Sequence, residues 1–157
     1  MLDQHVNTIP RIEQTGKNRL CSERSYLCDS IGTIIKTLNN ATRMTDQIEF
    51  EFFPQMRFLI YGEPGMSLPP HIDLTRTNSE GLVSTHTFIL YLDDCNQGGE
   101  TALLESLSST SDSSNVLVNP KRGRLLLFPH FCPHEGKETI AYPKILLRGE
   151  AYYSGFK

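Results

Sequence analysis

The sequence predicts a mainly β fold, a sandwich or barrel preceded by one amphipathic helix. Three observations carry that expectation. From about residue 46 onward, short apolar runs are separated by turn residues, the pattern of successive strands. Helical periodicity is confined to one stretch before that point. The 157-residue chain is 38% hydrophobic and 21% charged, with eleven Gly and nine Pro. That composition is typical of a turn-rich globular domain, and a chain of this length buries roughly two-thirds of its unfolded surface. We therefore expect a single domain over residues 1–157, with 1–45 as helical N-terminal support and 46–157 as the β core.

Residues 1–18 have no clear period and read as a lead-in. From Ser22 to about Asn39, Leu27, Ile31, Ile34, Ile35 and Leu38 recur at helical spacing, with Glu23, Arg24, Asp29, Lys36 and Thr37 between them. One apolar stripe on a polar helix buttresses a sheet. Asn39-Asn40 supplies a stop, and Thr42 to Gln47 reads as a connection. Strands are then expected near Phe50–Phe53, Met56–Tyr61, His71–Leu74, Ser84–Leu92, Thr101–Leu104, Val116–Val118, Arg124–Phe128 and Lys144–Tyr153. Gly62-Glu63-Pro64-Gly65 and Gln97-Gly98-Gly99 are turn signals. Pro69 and Pro70 cannot donate to a ladder, so they set His71 at the start of its strand. Ser106–Ser114, reading SLSSTSDSS, has little with which to pack and is expected to be a mobile surface loop.

A formal net charge of −3 gives no general attraction for phosphate backbones, and the one basic cluster, Lys121-Arg122-Gly123-Arg124, is short. No nucleic-acid partner is expected. No apolar run is long enough to span a bilayer, and the first residues lack the basic-then-apolar signature of a secretory signal. The expected setting is intracellular and cytoplasmic, without a membrane. Cys21, Cys28, Cys95 and Cys132 form no C-x-x-C pair, which argues against a zinc ribbon or a thioredoxin-like motif and for free thiols.

The chemistry starts at His71-Ile72-Asp73. Two residues apart on a strand, an imidazole and a carboxylate share a face and offer two ligands at one point. A second histidine from another strand would complete a facial triad with open positions, the arrangement suited to non-haem Fe(II). Two histidines follow the apolar run that ends at Phe128, namely His130 and His134. Cations stand at Lys144 and Arg148 on the last strand, four apart on one face and so separated by about 13 Å. Tyr61 ends a strand ten residues before His71. His86 lies on the opposite face from Thr87, Ile89 and Tyr91 and reads as a strand histidine bonded to a neighbour.

With that spacing, Phe88–Asp93, Gly98-Gly99-Glu100-Thr101, the Pro-x-x-Gly-x-Leu-x-x-Phe segment at 120–128 and His134-Glu135-Gly136, the sequence resembles the Fe(II)- and 2-oxoglutarate-dependent dioxygenases. Within them it is most similar to the prolyl 4-hydroxylase-like branch, over about Met56 to Tyr153. The resemblance implies a double-stranded β-helix, or jelly-roll, with the N-terminal helix as buttress. It implies an oxidoreductase that binds Fe(II) through His71, Asp73 and His134, with O2 as co-substrate and room for ascorbate. Lys144, ten residues beyond His134, would pair with the distal carboxylate of 2-oxoglutarate. Tyr61 and Tyr91 would donate phenolic hydroxyls to the same molecule. Arg148 is the alternative anchor, because Tyr142-Pro143 replaces the Gly that usually precedes the basic residue. His130 competes with His134 as third ligand, and the following Glu-Gly favours His134.

The implied reaction converts 2-oxoglutarate and O2 to succinate and carbon dioxide while hydroxylating an unactivated C–H bond. The branch suggests a prolyl residue of a peptide or protein, with a small-molecule substrate also compatible. Two other readings use the same residues: a jelly-roll binding or scaffold protein with a vestigial metal site, and a cupin-like metalloenzyme that does not use 2-oxoglutarate. The residues leave the substrate and the oligomeric state open.

Overall fold

Two long strands dominate the fold. The apolar runs at Phe50–Phe53 and Met56–Tyr61 merge into one strand, β3 (Ile48–Tyr61), which pairs along its length with the last strand, β10 (Lys144–Phe156). Pro54 would break a central ladder, but the register shifts between Gly149 and Ala151, where a bulge on β3 takes up the proline.

The computed structural model describes residues 6–10, 22–28, 31–46, 48–108 and 115–156. Among them the remaining elements are β1 (Val6–Pro10), β2 (Ser22–Cys28), α1 (Ile31–Asp46), β4 (Leu68–His71), β5 (His86–Tyr91), β6 (Thr101–Leu103), β7 (Val116–Val118), β8 (Leu125–Pro129) and β9 (His134–Gly136). They form a six-stranded sheet, in the order β1-β2-β3-β10-β5-β8, and a four-stranded sheet, β4-β9-β6-β7. All pairings are antiparallel and neighbours in space are mostly distant in sequence, as in the expected jelly-roll. No helix among the described residues is long and apolar enough to cross a membrane.

Alternation along the strands divides the core in two. Leu59, Tyr61, Ile89, Tyr91, Phe128 and Leu146 turn inward with Met66, and Leu103 and Val118 of the smaller sheet close over them. Phe52, Met56, Phe88, Leu147 and Ala151 turn outward and are covered by Leu38 and Ile35 of α1. The helix is thus the expected buttress.

Its limits differ from the expectation. Ser22–Cys28 is a strand, and the helix runs from Ile31 through Asn39-Asn40 to Asp46. β2 pairs with β3 from Ser22 opposite Ile60 to Tyr26 opposite Met56, so it satisfies an edge that would otherwise be left open. That ladder outweighs the helical spacing of Leu27 with Ile31. Asn40 is exposed, where a poor helix former costs only a few tenths of a kcal/mol. Part of the lead-in also forms a strand, β1, against β2. The rest of the lead-in, Cys21, Gln47 and positions 109–114 of the serine-rich segment lie outside the described residues.

The strand at the first candidate ligand is also shifted. It spans Leu68–His71, so His71 ends β4 rather than starting a strand, and Asp73 follows it outside any strand. β4 lies at an edge of the smaller sheet, and its pairing with β9 is irregular between Leu68 and His71, where the two prolines have no N–H to donate.

Gly149 provides a test of the helix-side core. A Cβ built there would meet Phe88 Cε1 at 2.5 Å and Cζ at 2.7 Å, and Phe88 is fully buried. Gly149→Ala is expected to lower unfolding free energy by about 1–3 kcal/mol through overpacking, measured by urea denaturation against the parent chain.

Candidate metal centre

The short pairing of β4 with β9 sets His71 directly opposite His134, and their rings stand 4.2 Å apart between centroids. Asp73 reaches the same place because its backbone N–H donates to the His130 carbonyl at 3.0 Å. His71, Asp73 and His134 bring one nitrogen or oxygen ligand atom each to within 4.8 Å of one another. Asp73 Oδ1 lies 3.8 Å from His71 Nε2, and Oδ2 lies 3.5 Å from His134 Nε2.

Both histidines are oriented by backbone carbonyls. A carbonyl only accepts, so His71 Nδ1–H donates to Pro69 O at 2.8 Å and His134 Nδ1–H donates to Cys132 O at 3.0 Å. In neutral rings that leaves each Nε2 with its lone pair facing the carboxylate, which is how outer partners usually prepare ligating histidines. His134 is buried and packs edge-on against Phe128, and burial lowers its pKa, favouring the neutral, metal-binding form. Two imidazole nitrogens and one carboxylate fit a divalent first-row metal such as iron.

His130 is not part of the triad. Its ring is turned away, between Ser84 Oγ (2.8 Å from Nε2) and Thr87 Oγ1 (2.9 Å from Nδ1), and burial lowers its pKa. His86 is a strand histidine as expected. Its Nδ1 bonds the Thr85 hydroxyl at 2.8 Å and its ring packs against Phe50 and Tyr153.

The last strand settles the register that Tyr142-Pro143 had put in question. Lys144 opens β10 opposite Tyr61, and Leu146, Arg148 and Glu150 follow on the inward face. Lys144 is 1% exposed, with Nζ 4.5 Å from the centre of the Tyr61 ring. Gly98 and Gly99, both at positive φ, bring the Gln97–Glu100 turn so close that a Cβ at Gly99 would meet the Lys144 Cδ at 3.2 Å. Tyr91 is buried nearby and donates its hydroxyl to Thr101 Oγ1 at 2.6 Å, so its proton is already engaged.

Arg148 has a different environment from Lys144. Its Nη2 lies 2.5 Å from Asp73 Oδ1 and its Nη1 2.8 Å from Glu150 Oε1, and Arg57 reaches the same Glu150 oxygen at 3.2 Å. Burial raises the Glu150 pKa, and Arg57 is the largest opposing influence. Sequence reasoning missed this role of Arg148 and missed Glu150, Arg57 and Thr87 altogether. The inward alternation 144, 146, 148, 150 was the available signal.

An antiparallel roll that encloses a His-Asp-His group defines a class of metal-dependent enzymes, and the family follows from comparison. Residues 56–149 match the model of the 2OG-Fe(II) oxygenase superfamily, and the chain belongs to that superfamily. Membership implies an oxygenase that uses Fe(II) and 2-oxoglutarate. A search of curated proteins found no match. Among solved structures, the chain resembles a Pseudomonas putida prolyl-4-hydroxylase at 18% identity and TM-score 0.59, covering 95% of this chain and 79% of that one. It resembles a Trichoplax adhaerens prolyl hydroxylase, solved with a hypoxia inducible factor peptide fragment, at 18% identity and TM-score 0.58, covering 95% and 71%. It also resembles a non-haem α-ketoglutarate-dependent epimerase of nogalamycin biosynthesis at 11% identity and TM-score 0.63, covering 93% and 65%. At these identities the likeness is one of fold.

Burial holds the pKa of His86, His130 and His134 below the ordinary 6.5. As pH falls through that value the unfolded chain takes up protons that the folded chain refuses, so folding stability falls with it. Glu150, raised by burial, acts in the opposite sense at lower pH. The metal-free protein is expected to melt at a lower temperature at about pH 5.5 than at about pH 7.5, a comparison made by calorimetry.

Proposed function

We propose that the protein is an Fe(II)- and 2-oxoglutarate-dependent oxygenase that hydroxylates an unactivated C–H bond, with a prolyl residue of a peptide as the favoured substrate. The observation that carries this reading is the pairing of two prepared imidazole nitrogens and a carboxylate at one end of the roll with a buried cation, Lys144, further along its interior. In it His71, Asp73 and His134 hold Fe(II). The iron, when bound with 2-oxoglutarate and O2, supplies the oxidising chemistry; the chain binds, orients and excludes water. The peptide substrate is favoured by the prolyl hydroxylases among the structural neighbours. The nogalamycin epimerase shares the fold, so a small molecule is the other substrate class to test.

The geometry favours Lys144 over Arg148 as the anchor for the distal carboxylate of 2-oxoglutarate. Arg148 is engaged by Asp73 and Glu150, beside the ligands themselves. Lys144 lies about 13 Å further along the strand, away from the ion pairs of Arg148 and against the Tyr61 ring. A buried ammonium in an apolar interior attracts such an anion strongly. Tyr61, against whose ring Lys144 packs, lies beside the proposed anchor, and Tyr91 donates its hydroxyl to Thr101. Accessory reduction by ascorbate belongs to the same reading. The preparation of both Nε2 lone pairs weighs against a vestigial site, and family membership weighs against a cupin without 2-oxoglutarate.

Anaerobic addition of Fe(II) and 2-oxoglutarate together is expected to produce a visible charge-transfer band, and admission of O2 to release succinate. A band that never forms, with no succinate released, would remove the reading. Peptide libraries and cell extracts incubated with the enzyme are then searched by mass spectrometry for the gain of one oxygen.

Lys144→Met is expected to raise the 2-oxoglutarate concentration needed for half-maximal succinate release by about 10- to 100-fold, the loss of one charge-assisted contact. Arg148→Gln should leave that concentration nearly unchanged and weaken metal binding instead. Succinate assays and metal titrations on both variants separate the two roles.

A further inference from the structure

The polar groups behind Asp73 form a chain whose direction is fixed by chemistry. The Arg76 backbone N–H donates to Ser84 Oγ at 2.8 Å. Ser84 Oγ lies 2.8 Å from His130 Nε2, His130 Nδ1 lies 2.9 Å from Thr87 Oγ1, and Thr87 Oγ1 lies 2.5 Å from Asp73 Oδ2. A carboxylate oxygen only accepts, so the Thr87 proton points at Asp73. The Thr87 oxygen must then accept from His130, which puts a proton on Nδ1. Nε2 of the neutral ring accepts from Ser84, whose oxygen in turn accepts from Arg76. The other tautomer would turn the Thr87 proton toward His130 and leave two oxygens facing each other with no proton between them.

We infer that Thr87 and His130, anchored by Ser84, are positioning residues that fix the Asp73 carboxylate for metal binding, as the outer half of a clamp whose other half is Arg148. The inference rests on the reading of His71, Asp73 and His134 as metal ligands. Thr87 holds Oδ2 and Arg148 holds Oδ1, so rotation of the carboxylate would break both contacts. Each oxygen retains a lone pair, so the clamp fixes the carboxylate's orientation and still leaves it able to ligate.

His130 holds Asp73 twice. Its carbonyl accepts the Asp73 N–H at 3.0 Å, and its ring directs Thr87 onto the side chain. Its own N–H donates to the Thr85 carbonyl at 3.0 Å, which ties it to the start of β5. Imidazole suits the position because it carries a donor and an acceptor on opposite sides of a rigid ring, bridging two hydroxyls three residues apart. His130 is 4% exposed and Thr87 is fully buried, so water does not substitute for either.

Binding of Mn(II) alone to the metal-free protein, read from the EPR signal of the free ion, tests this without any turnover. Thr87→Val keeps the shape and removes the hydroxyl; it is expected to weaken Mn(II) binding by about 10- to 100-fold, as loss of an outer-shell partner does. Thr87→Ser removes the methyl and keeps the hydroxyl, and is expected to bind within a few-fold of the parent. A packing role predicts the opposite order, since the valine fills the site and the serine does not. Should Thr87→Val fail to fold, His130→Asn, which retains a donor toward Thr87, should bind more tightly than His130→Leu. Equal affinity of Thr87→Val and the parent, or of the two His130 variants in the fallback, would overturn this inference alone. A parent protein that takes up no Mn(II) would overturn it together with the metal reading.

Discussion

A carboxylate set inside a roll of apolar strands must have its charge matched and its lone pairs occupied, and Asp73 imposes that demand on everything around it. Its side chain is 8% exposed, and leaving it unpaired there would cost several kcal/mol. Arg148 supplies the charge. That cation is itself buried, so Glu150 stands against it, and Arg57 stands against Glu150. Signs alternate along Asp73, Arg148, Glu150 and Arg57, and the row sums to zero. Removing any one member would strand a neighbour in a poorly solvated position.

The same demand explains why strand register matters more here than strand propensity. Arg148 is opposite Arg57 on one side and Ile89 on the other, and Glu150 is opposite Thr87. A slip of one residue in β10 would turn Lys144, Arg148 and Glu150 to the helix side and present Leu147 and Ala151 to the ionic end of the interior. The outward half of the pattern resists such a slip. Leu147 and Ala151 are buried with Phe52, Met56 and Phe88 beneath α1, and Gly149 gives the Phe88 ring the space it occupies. The buttressing helix, though distant from the triad, therefore helps to hold the register on which the triad's partners depend.

How much of this was legible follows from which interactions are local. Turn residues and alternation located most strands from Phe50 onward, because Gly, Pro and inward-outward patterning act over a few residues; β9 was not expected and β4 was expected three residues too late. His71, Asp73 and His134 were legible from residue type and spacing to a family, although the strand ends at His71 and the carboxylate is brought in by the His130 carbonyl. Ser22–Cys28 was illegible as a strand because what makes it one is the edge of β3, far away in sequence, from Tyr26 opposite Met56 to Ser22 opposite Ile60. Thr87 and His130 were illegible as supports for Asp73 for the same reason. A threonine between His86 and Phe88 reads as a strand former until β5 is set beside both the Asp73 segment and the end of β8. Arg148 could be narrowed only to a shared face with Lys144, and a face does not say which anion lies opposite.

Lys144 and Arg148 also show why two cations on one inward face are not redundant. Across the four residues that separate them the interior changes character. Tyr61, Tyr91 and Leu146 surround the Lys144 end, and carboxylates surround the Arg148 end. The guanidinium holds the Asp73 carboxylate in one orientation, and its sharing with Glu150 leaves part of the carboxylate's charge unmatched. The Lys144 ammonium lies against the face of an aromatic ring, a contact that suits a compact point charge. The planar, two-sided donor thus stands where two carboxylates must be bridged, and the compact point charge stands at the aromatic end of the interior, where the proposed function puts the distal carboxylate of the co-substrate.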